Sequence, residues 1–172
     1  MPAYLPDDAA ALMAEGYELL RCNSGLGDYG PWKETTDGTG GTCWYAVDGA
    51  RFTTYAAYQA YACGVFAPEP AARLTAWACT AGTDGTLYRF GKWEGENGGL
   101  CFSLGDRDSD FYYLDTLFSG YTTAQDGSIR FTQIALMTSD NRYGAVDHVE
   151  LSPVVLQRTA DGYRLVALTL PY

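Results

Sequence analysis

Apolar and polar positions alternate on two different periods along this chain. Through its first half apolar residues mostly recur at three and four, the helical spacing; beyond it they fall in short runs separated by Asp-Gly or Gly-rich turns. Asp7 or Asp8 is placed to cap a first helix, on which Leu12, Met13, Gly16, Tyr17, Leu19 and Leu20 make one broad stripe ending near Asn23-Ser24-Gly25. Thr42 to Val47 reads as a strand closed by Asp48-Gly49. Phe52-Thr53-Thr54 starts a second helix with Tyr55, Tyr58, Ala62 and Val65 at helical spacing, and Pro68-Glu69-Pro70 opens a third that turns Leu74, Trp77 and Ala78 to the core.

The period changes between Gly99 and Asp110. Leu100, Phe102 and Leu104 alternate with Cys101 and Ser103, as in a strand with one buried face, and Gly105 ends the run. Asp106-Arg107-Asp108-Ser109-Asp110 then predicts an ordered structural loop, because three neighbouring carboxylates cannot enter a core without partners, and Arg107 offers the planar fork that pairs with them. Asp84-Gly85 and Glu96-Asn97-Gly98-Gly99 bracket one earlier strand that begins at Thr86. After the loop, Tyr112 to Tyr121 and Ile129 to Met137 flank Asp126-Gly127, and Val146 to Gln157 and Tyr163 to Leu170 flank Asp161-Gly162. The pattern predicts an antiparallel meander, with Pro153 at a bulge or an edge because it cannot donate to a ladder. Helices first and antiparallel strands afterwards predict a single α+β domain over residues 1–172, its N-terminal helices packed on a bent antiparallel sheet.

Composition narrows the function classes. Hydrophobic residues make up 47% of the 172, which excludes a disordered chain. A net charge of −10 opposes a phosphate backbone, so no nucleic-acid partner is expected. No apolar run approaches the roughly 20 residues that cross a bilayer, so membrane insertion by this chain is not expected either. The five cysteines, Cys22, Cys43, Cys63, Cys79 and Cys101, include no Cys-x-x-Cys pair; they read as buried reduced thiols, with one or two disulfides in an oxidising compartment as the alternative.

Candidate chemistry is sparse. Gly25-Leu26-Gly27-Asp28-Tyr29-Gly30 satisfies G-x-G-x-x-G in form, but it follows a helix and leads into Pro31-Trp32, the wrong context for a dinucleotide, and no cofactor is implied. Asp106, Asp108 and Asp110 match the first positions of a calcium loop, yet Phe111 stands where the turn glycine belongs and Leu117 where the bidentate Glu would be, so no metal is assigned. His148, the only histidine, shares a strand face with Val146 and Glu150, an arrangement that suits either a general base with an orienting carboxylate or an ordinary sheet histidine. No nucleophile stands in a recognisable elbow, and no catalytic residue is assigned. Trp32, Trp44, Trp77, Trp93, Tyr112 and Tyr113 are candidates for a binding surface, since aromatic residues concentrate in interface cores, or for plain packing.

The order of elements, ending in Val154-Val155-Leu156-Gln157-Arg158-Thr159-Ala160-Asp161-Gly162-Tyr163-Arg164-Leu165, resembles the cystatin-like and NTF2-like cone folds. Phe52-Thr53-Thr54-Tyr55, Val65-Phe66-Ala67-Pro68-Glu69, Asp84-Gly85-Thr86-Leu87-Tyr88 and Gly105-Asp106-Arg107-Asp108-Ser109-Asp110, in this order, resemble extracytoplasmic domains of Gram-positive bacteria related to the IseA family of DL-endopeptidase inhibitors. The likeness runs from about Trp44 to Leu170. It implies an extracytoplasmic, non-enzymatic binding module that inhibits or regulates a cell-wall hydrolase, its protein partner; no inhibitory residue is carried over. The alternative is a small-molecule-binding or catalytic NTF2-like domain with a pocket between helices and sheet.

Overall fold

A computed structural model of the chain describes residues 2, 4–23, 30–36, 42–76, 78–81, 87–103, 111–140 and 145–170, with the side chains of 22, 23, 42, 78–81, 87–93 and 103 excepted. The class is α+β. Its elements are α1 (Asp7–Asn23), β1 (Trp32–Thr36), β2 (Thr42–Ala46), α2 (Tyr55–Val65), α3 (Pro68–Thr75), β3 (Ala78–Ala81), β4 (Leu87–Glu94), β5 (Leu100–Ser103), β6 (Tyr112–Thr123), β7 (Ile129–Thr138), β8 (His148–Thr159) and β9 (Gly162–Ala167), with a 3-10 turn at Glu96–Gly98. They form two compact units: one of Met1–Tyr17, Val65–Ala67 and Arg107–Tyr172, the other of Glu18–Gly64 and Pro68–Asp106.

The described residues form two antiparallel sheets where the sequence predicts one, ordered β1-β2-β5-β4-β3 and β6-β7-β8-β9. The first includes two strands that the pattern does not signal. β1, Trp-Lys-Glu-Thr-Thr, is exposed after its first residue and so shows no apolar alternation. β3 replaces the predicted end of the third helix: α3 stops at Thr75, and Ala78 pairs with Phe90.

In the second sheet the pleat is plain. β7 alternates buried Ile129, Phe131, Gln133, Ala135 and Met137 with less buried Arg130, Thr132, Ile134 and Leu136, which gives the sheet an inner and an outer face. The inner face receives α1. A Cβ on Gly16 would overlap Leu165 Cδ1 and lie 2.8 Å from Leu168 Cδ2, so the helix comes as close as a missing side chain permits. Val65–Ala67 closes the same core, through the Phe66–Leu165 bridge and the Ala67 N–H donating to Leu165 O at 2.8 Å. At the start of α1, Asp8 accepts from the Ala9 N–H at 3.0 Å and pairs with Arg158 at 3.2 Å.

Asp-Gly turns set the meander. Gly127 (φ +82°) and Gly162 (φ +116°) sit in the left-handed region, and Asp126 Oδ1 accepts from the Ser128 N–H at 2.9 Å. Pro153 on β8 pairs with Thr132 on β7, while β9 covers β8 only from Val155 onward, so among the described residues the proline occupies a locally free edge, as its missing donor requires.

In the other unit, Thr54 Oγ1 accepts from the Ala57 N–H at 3.2 Å and caps α2, and the Tyr55 hydroxyl donates to Thr75 O, tying α2 to the end of α3. β5 alternates as expected: Leu100 and Phe102 are buried and Cys101 is half-buried. Cys43, Cys63 and Cys101 are thiols, and Cys63 is exposed on α2 rather than buried, because it lies outside the stripe that carries Tyr58, Ala62 and Val65. Cys22 and Cys79 have undescribed side chains. Burial raises the Cys101 thiol above its ordinary value, with Cys43 and Glu96 adding to the effect. Alkylation of the native protein is therefore expected to label Cys63 first and Cys101 and Cys43 only slowly, read by mass spectrometry of peptides against time; equal rates at Cys63 and Cys43 would contradict this packing.

The β7–β8 connection ends in a clasp. Asp147 accepts from the Ser139 hydroxyl at 2.5 Å and from the Ser139 N–H at 3.0 and 3.1 Å, and the hydroxyl bond, then the amide, hold its carboxyl below the usual range. The Ser128 amide, then its side chain, do the same to Asp126. Depressed carboxyl groups contribute stability that is present above the unfolded value, about pH 4, and is lost as pH falls through the folded value. Asp126→Asn/Asp147→Asn is expected to be less stable than wild type at neutral pH and to lose less on acidification, measured by urea unfolding at a series of pH values. Parallel curves would refute the assignment.

Candidate functional site

The β6-β7-β8 surface carries the chemistry of its unit, and cross-strand register sorts it into rows. On the inner face Tyr113, Met137 and His148 are directly opposed, and next to them Thr116, Ala135 and Glu150, then Phe118, Gln133 and Ser152. On the outer face the rows are Asp115, Leu136, Val149; Leu117, Ile134, Leu151; and Ser119, Thr132, Pro153.

The inner face is polar at its centre and closed there by α1. The Tyr17 hydroxyl donates to Gln133 Oε1, and Gln133 Nε2 donates to Thr169 O at 3.1 Å, so a side chain only 1% exposed has both ends of its amide engaged. Burial, with Tyr113 second, pushes the Tyr17 phenol far above its ordinary value, which keeps it a donor. Towards the β8 start the face opens. The His148 ring stacks on Phe111, centroids 4.1 Å apart and 14° from parallel, and its Nε2 lies 3.8 Å from Glu150 Oε1. The Tyr113 hydroxyl sits 2.8 Å from Thr116 Oγ1. His148 and Glu150 thus share a face as the sequence predicts, whereas Val146 precedes the strand. At 3.8 Å with both groups partly solvated, this is a weak ion pair when the imidazole is protonated, not an orienting hydrogen bond.

The outer face carries an open apolar patch. Leu151 is 67% exposed, Val149 and Leu117 each 49%, and with Ile134 and Leu136 between them they form one continuous patch across three strands. Comparison with protein-family models, with curated proteins and with solved structures finds no match for this chain.

The structure separates several residues that the sequence groups together. Tyr113 joins His148 across Met137, but Tyr112, its neighbour on the strand, opposes Thr138 and takes the outer face, because successive strand residues point to opposite faces. Trp44 belongs to the other unit, where it stacks on Phe102 at 5.7 Å, with Trp32 edge-on to the same ring at 4.2 Å; this is packing around a buried phenylalanine. Trp93 pairs with Cys101 in register, and its side chain lies outside the described residues, as do Trp77 and the loop Asp106, Arg107, Asp108 and Asp110. Among the described residues no group of three His, Cys, Asp or Glu side chains is placed to hold a metal ion, and no helix is long and apolar enough to cross a membrane.

Sequence reading missed the outer patch and the Tyr17–Gln133 bond. The patch had a signal, the strict alternation of Val149 and Leu151 with His148, Glu150 and Ser152, but alternation alone reads as a face turned inward. The bond had none, since its partners are 116 residues apart. Tyr17→Phe leaves Gln133 Oε1 buried without its donor and is expected to destabilise the protein by about 1–3 kcal/mol in urea unfolding at pH 7. Above about pH 10 the unfolded phenol ionises and the folded one does not, so this contribution falls with rising pH and the gap between wild type and Tyr17→Phe narrows. A gap independent of pH would contradict the bond.

Proposed function

We propose that this chain is a non-enzymatic binding module that docks a protein partner on the outer face of the β6-β7-β8 sheet, in the manner of a cystatin-like or NTF2-like extracytoplasmic domain that occludes a cell-wall hydrolase. The observation that carries the reading is the inversion of β8. Val149 and Leu151 stand in solvent while His148 and Ser152 are half-buried, the reverse of what a solvated strand face normally presents. Charge defines the partner further. Asp115, Asp126, Asp140, Asp147, Glu150 and Asp161 outweigh Arg130, Arg158 and Arg164 over the described part of residues 111–170, which favours a partner whose apolar contact is rimmed by basic residues. The likeness to IseA-related domains supplies the hydrolase and the envelope location.

The test is inhibition of a purified Gram-positive DL-endopeptidase cleaving a wall peptide. Wild type is expected to inhibit, and Leu151→Asp to weaken inhibition by about tenfold or more at unchanged thermal stability, since burying a leucine is worth roughly 1.5–3 kcal/mol and 1.4 kcal/mol is a factor of ten. Inhibition that ignores Leu151→Asp would remove the outer face, and no inhibition by wild type would remove the hydrolase. A small-molecule site is the second reading, supported by the Tyr113–Met137–His148 row with Phe111 stacked on the imidazole. Under the first reading His148→Ala leaves inhibition unchanged.

A further inference from the structure

We propose that two copies of this chain join edge to edge through β6, antiparallel about a two-fold axis at Leu117, so that two four-stranded sheets become one. β6 is the terminal strand of its sheet, and among the described residues it pairs with β7 alone. It is a long edge with few of the usual guards: Tyr112–Thr123 contains no proline, no lysine and one charge, Asp115, and its irregularities of pairing lie toward its two ends. Such an edge offers a row of backbone donors and acceptors to another strand.

The position of the axis follows from the register. β6 departs from regular pairing twice, between Tyr113 and Asp115 and between Ser119 and Thr122, and each irregularity turns the strand away from a straight edge. What remains straight is Asp115–Ser119, centred on Leu117. A two-fold axis there sets Leu117 against its own copy and Asp115 against Ser119. The single carboxylate therefore meets a hydroxyl that can donate to it, and not its symmetry mate. In a chain of net charge −10, this pairing brings two copies together without a like-charge contact across the seam.

The same axis extends the outer face. Leu117 stands in the row Leu117, Ile134, Leu151, so pairing about it places six apolar side chains in line across both sheets. A dimer of this kind is isologous and closed, and it leaves the outer face open. It does not rest on the proposed hydrolase.

Sedimentation velocity of the full chain over roughly 10 µM to 1 mM tests it, the span in which a short edge contact is populated. The mass is expected to rise from 18.7 kDa toward twice that value. Leu117→Lys, at a half-exposed position that the fold does not need, sets two ammonium groups against each other and is expected to weaken association by about tenfold or more. Leu151→Lys, on the same face but on an inner strand, is expected to dimerise as wild type does. Amide exchange of Asp115–Ser119 should slow as concentration rises. A wild type that stays at 18.7 kDa throughout, a dimer indifferent to Leu117→Lys, one lost equally in Leu151→Lys, or one without added protection at Asp115–Ser119 would each overturn the proposal.

Discussion

The close approach of α1 to the sheet at Gly16 is the constraint on which the rest of its unit depends. With no side chain at that position, the helix backbone rests on Leu165 and Leu168, and the next residue, Tyr17, reaches across the core to Gln133. Apolar packing alone tolerates sliding, because leucine tips adapt. A buried amide does not. Gln133 has its oxygen on Tyr17 and its nitrogen on Thr169, so moving the helix by one residue would strand a polar group in a dry core. The close contact sets the distance between helix and sheet, and the hydrogen-bond chain sets the register.

Once β7 is fixed, β8 has a conflict to resolve. Its N-terminal half places apolar Val149 and Leu151 at odd positions, whereas its C-terminal half buries Val154 and Leu156 at even ones. The β7–β8 ladder runs without a break from Met137–His148 to Ile129–Leu156, so no bulge lets the two halves face the same way. Whichever half is buried, the other must show its apolar side chains to solvent. Val154, Leu156 and the β7 residues Ile129 and Phe131 lie over the core with Leu165, and they prevail. The open patch is thus not loose packing; it is the geometric consequence of an unbroken ladder carrying a sequence of mixed parity.

The sequence was legible only as far as its signals were local. Elements with a local signal were legible: the start of α1 at its paired aspartates, the proline at the start of α3, and the Asp-Gly turns at Gly127 and Gly162, whose positive φ values only a few residues tolerate. β1 and β3 were not, since one is polar and exposed and the other is a short Ala-Cys-Thr-Ala run with no pattern of its own. At the candidate site, the pairing of His148 with Glu150 and the opposite facing of Tyr112 and Tyr113 both follow from period two, but the placing of Tyr113 and Thr116 in neighbouring inner rows depends on an irregularity visible only in the pairing with β7. Which half of β8 would be buried was likewise beyond a local pattern, because it depends on what packs against each half.

Edge and face of the second sheet are linked by one residue. Leu117 is both the midpoint of the straight part of β6 and the end of the row that passes through Ile134 to Leu151. Proteins that leave such an edge uncovered usually shorten it, charge it or bend it away. Here bending is used toward both ends of β6, and the stretch between has no proline and a single charge, Asp115 at its margin, so the protection is weakest where the apolar row begins. A patch that served only to complete a core would gain nothing from lying against an accessible edge. A patch that must be presented across a wide surface does gain, because a paired edge extends it without asking either copy to change its fold.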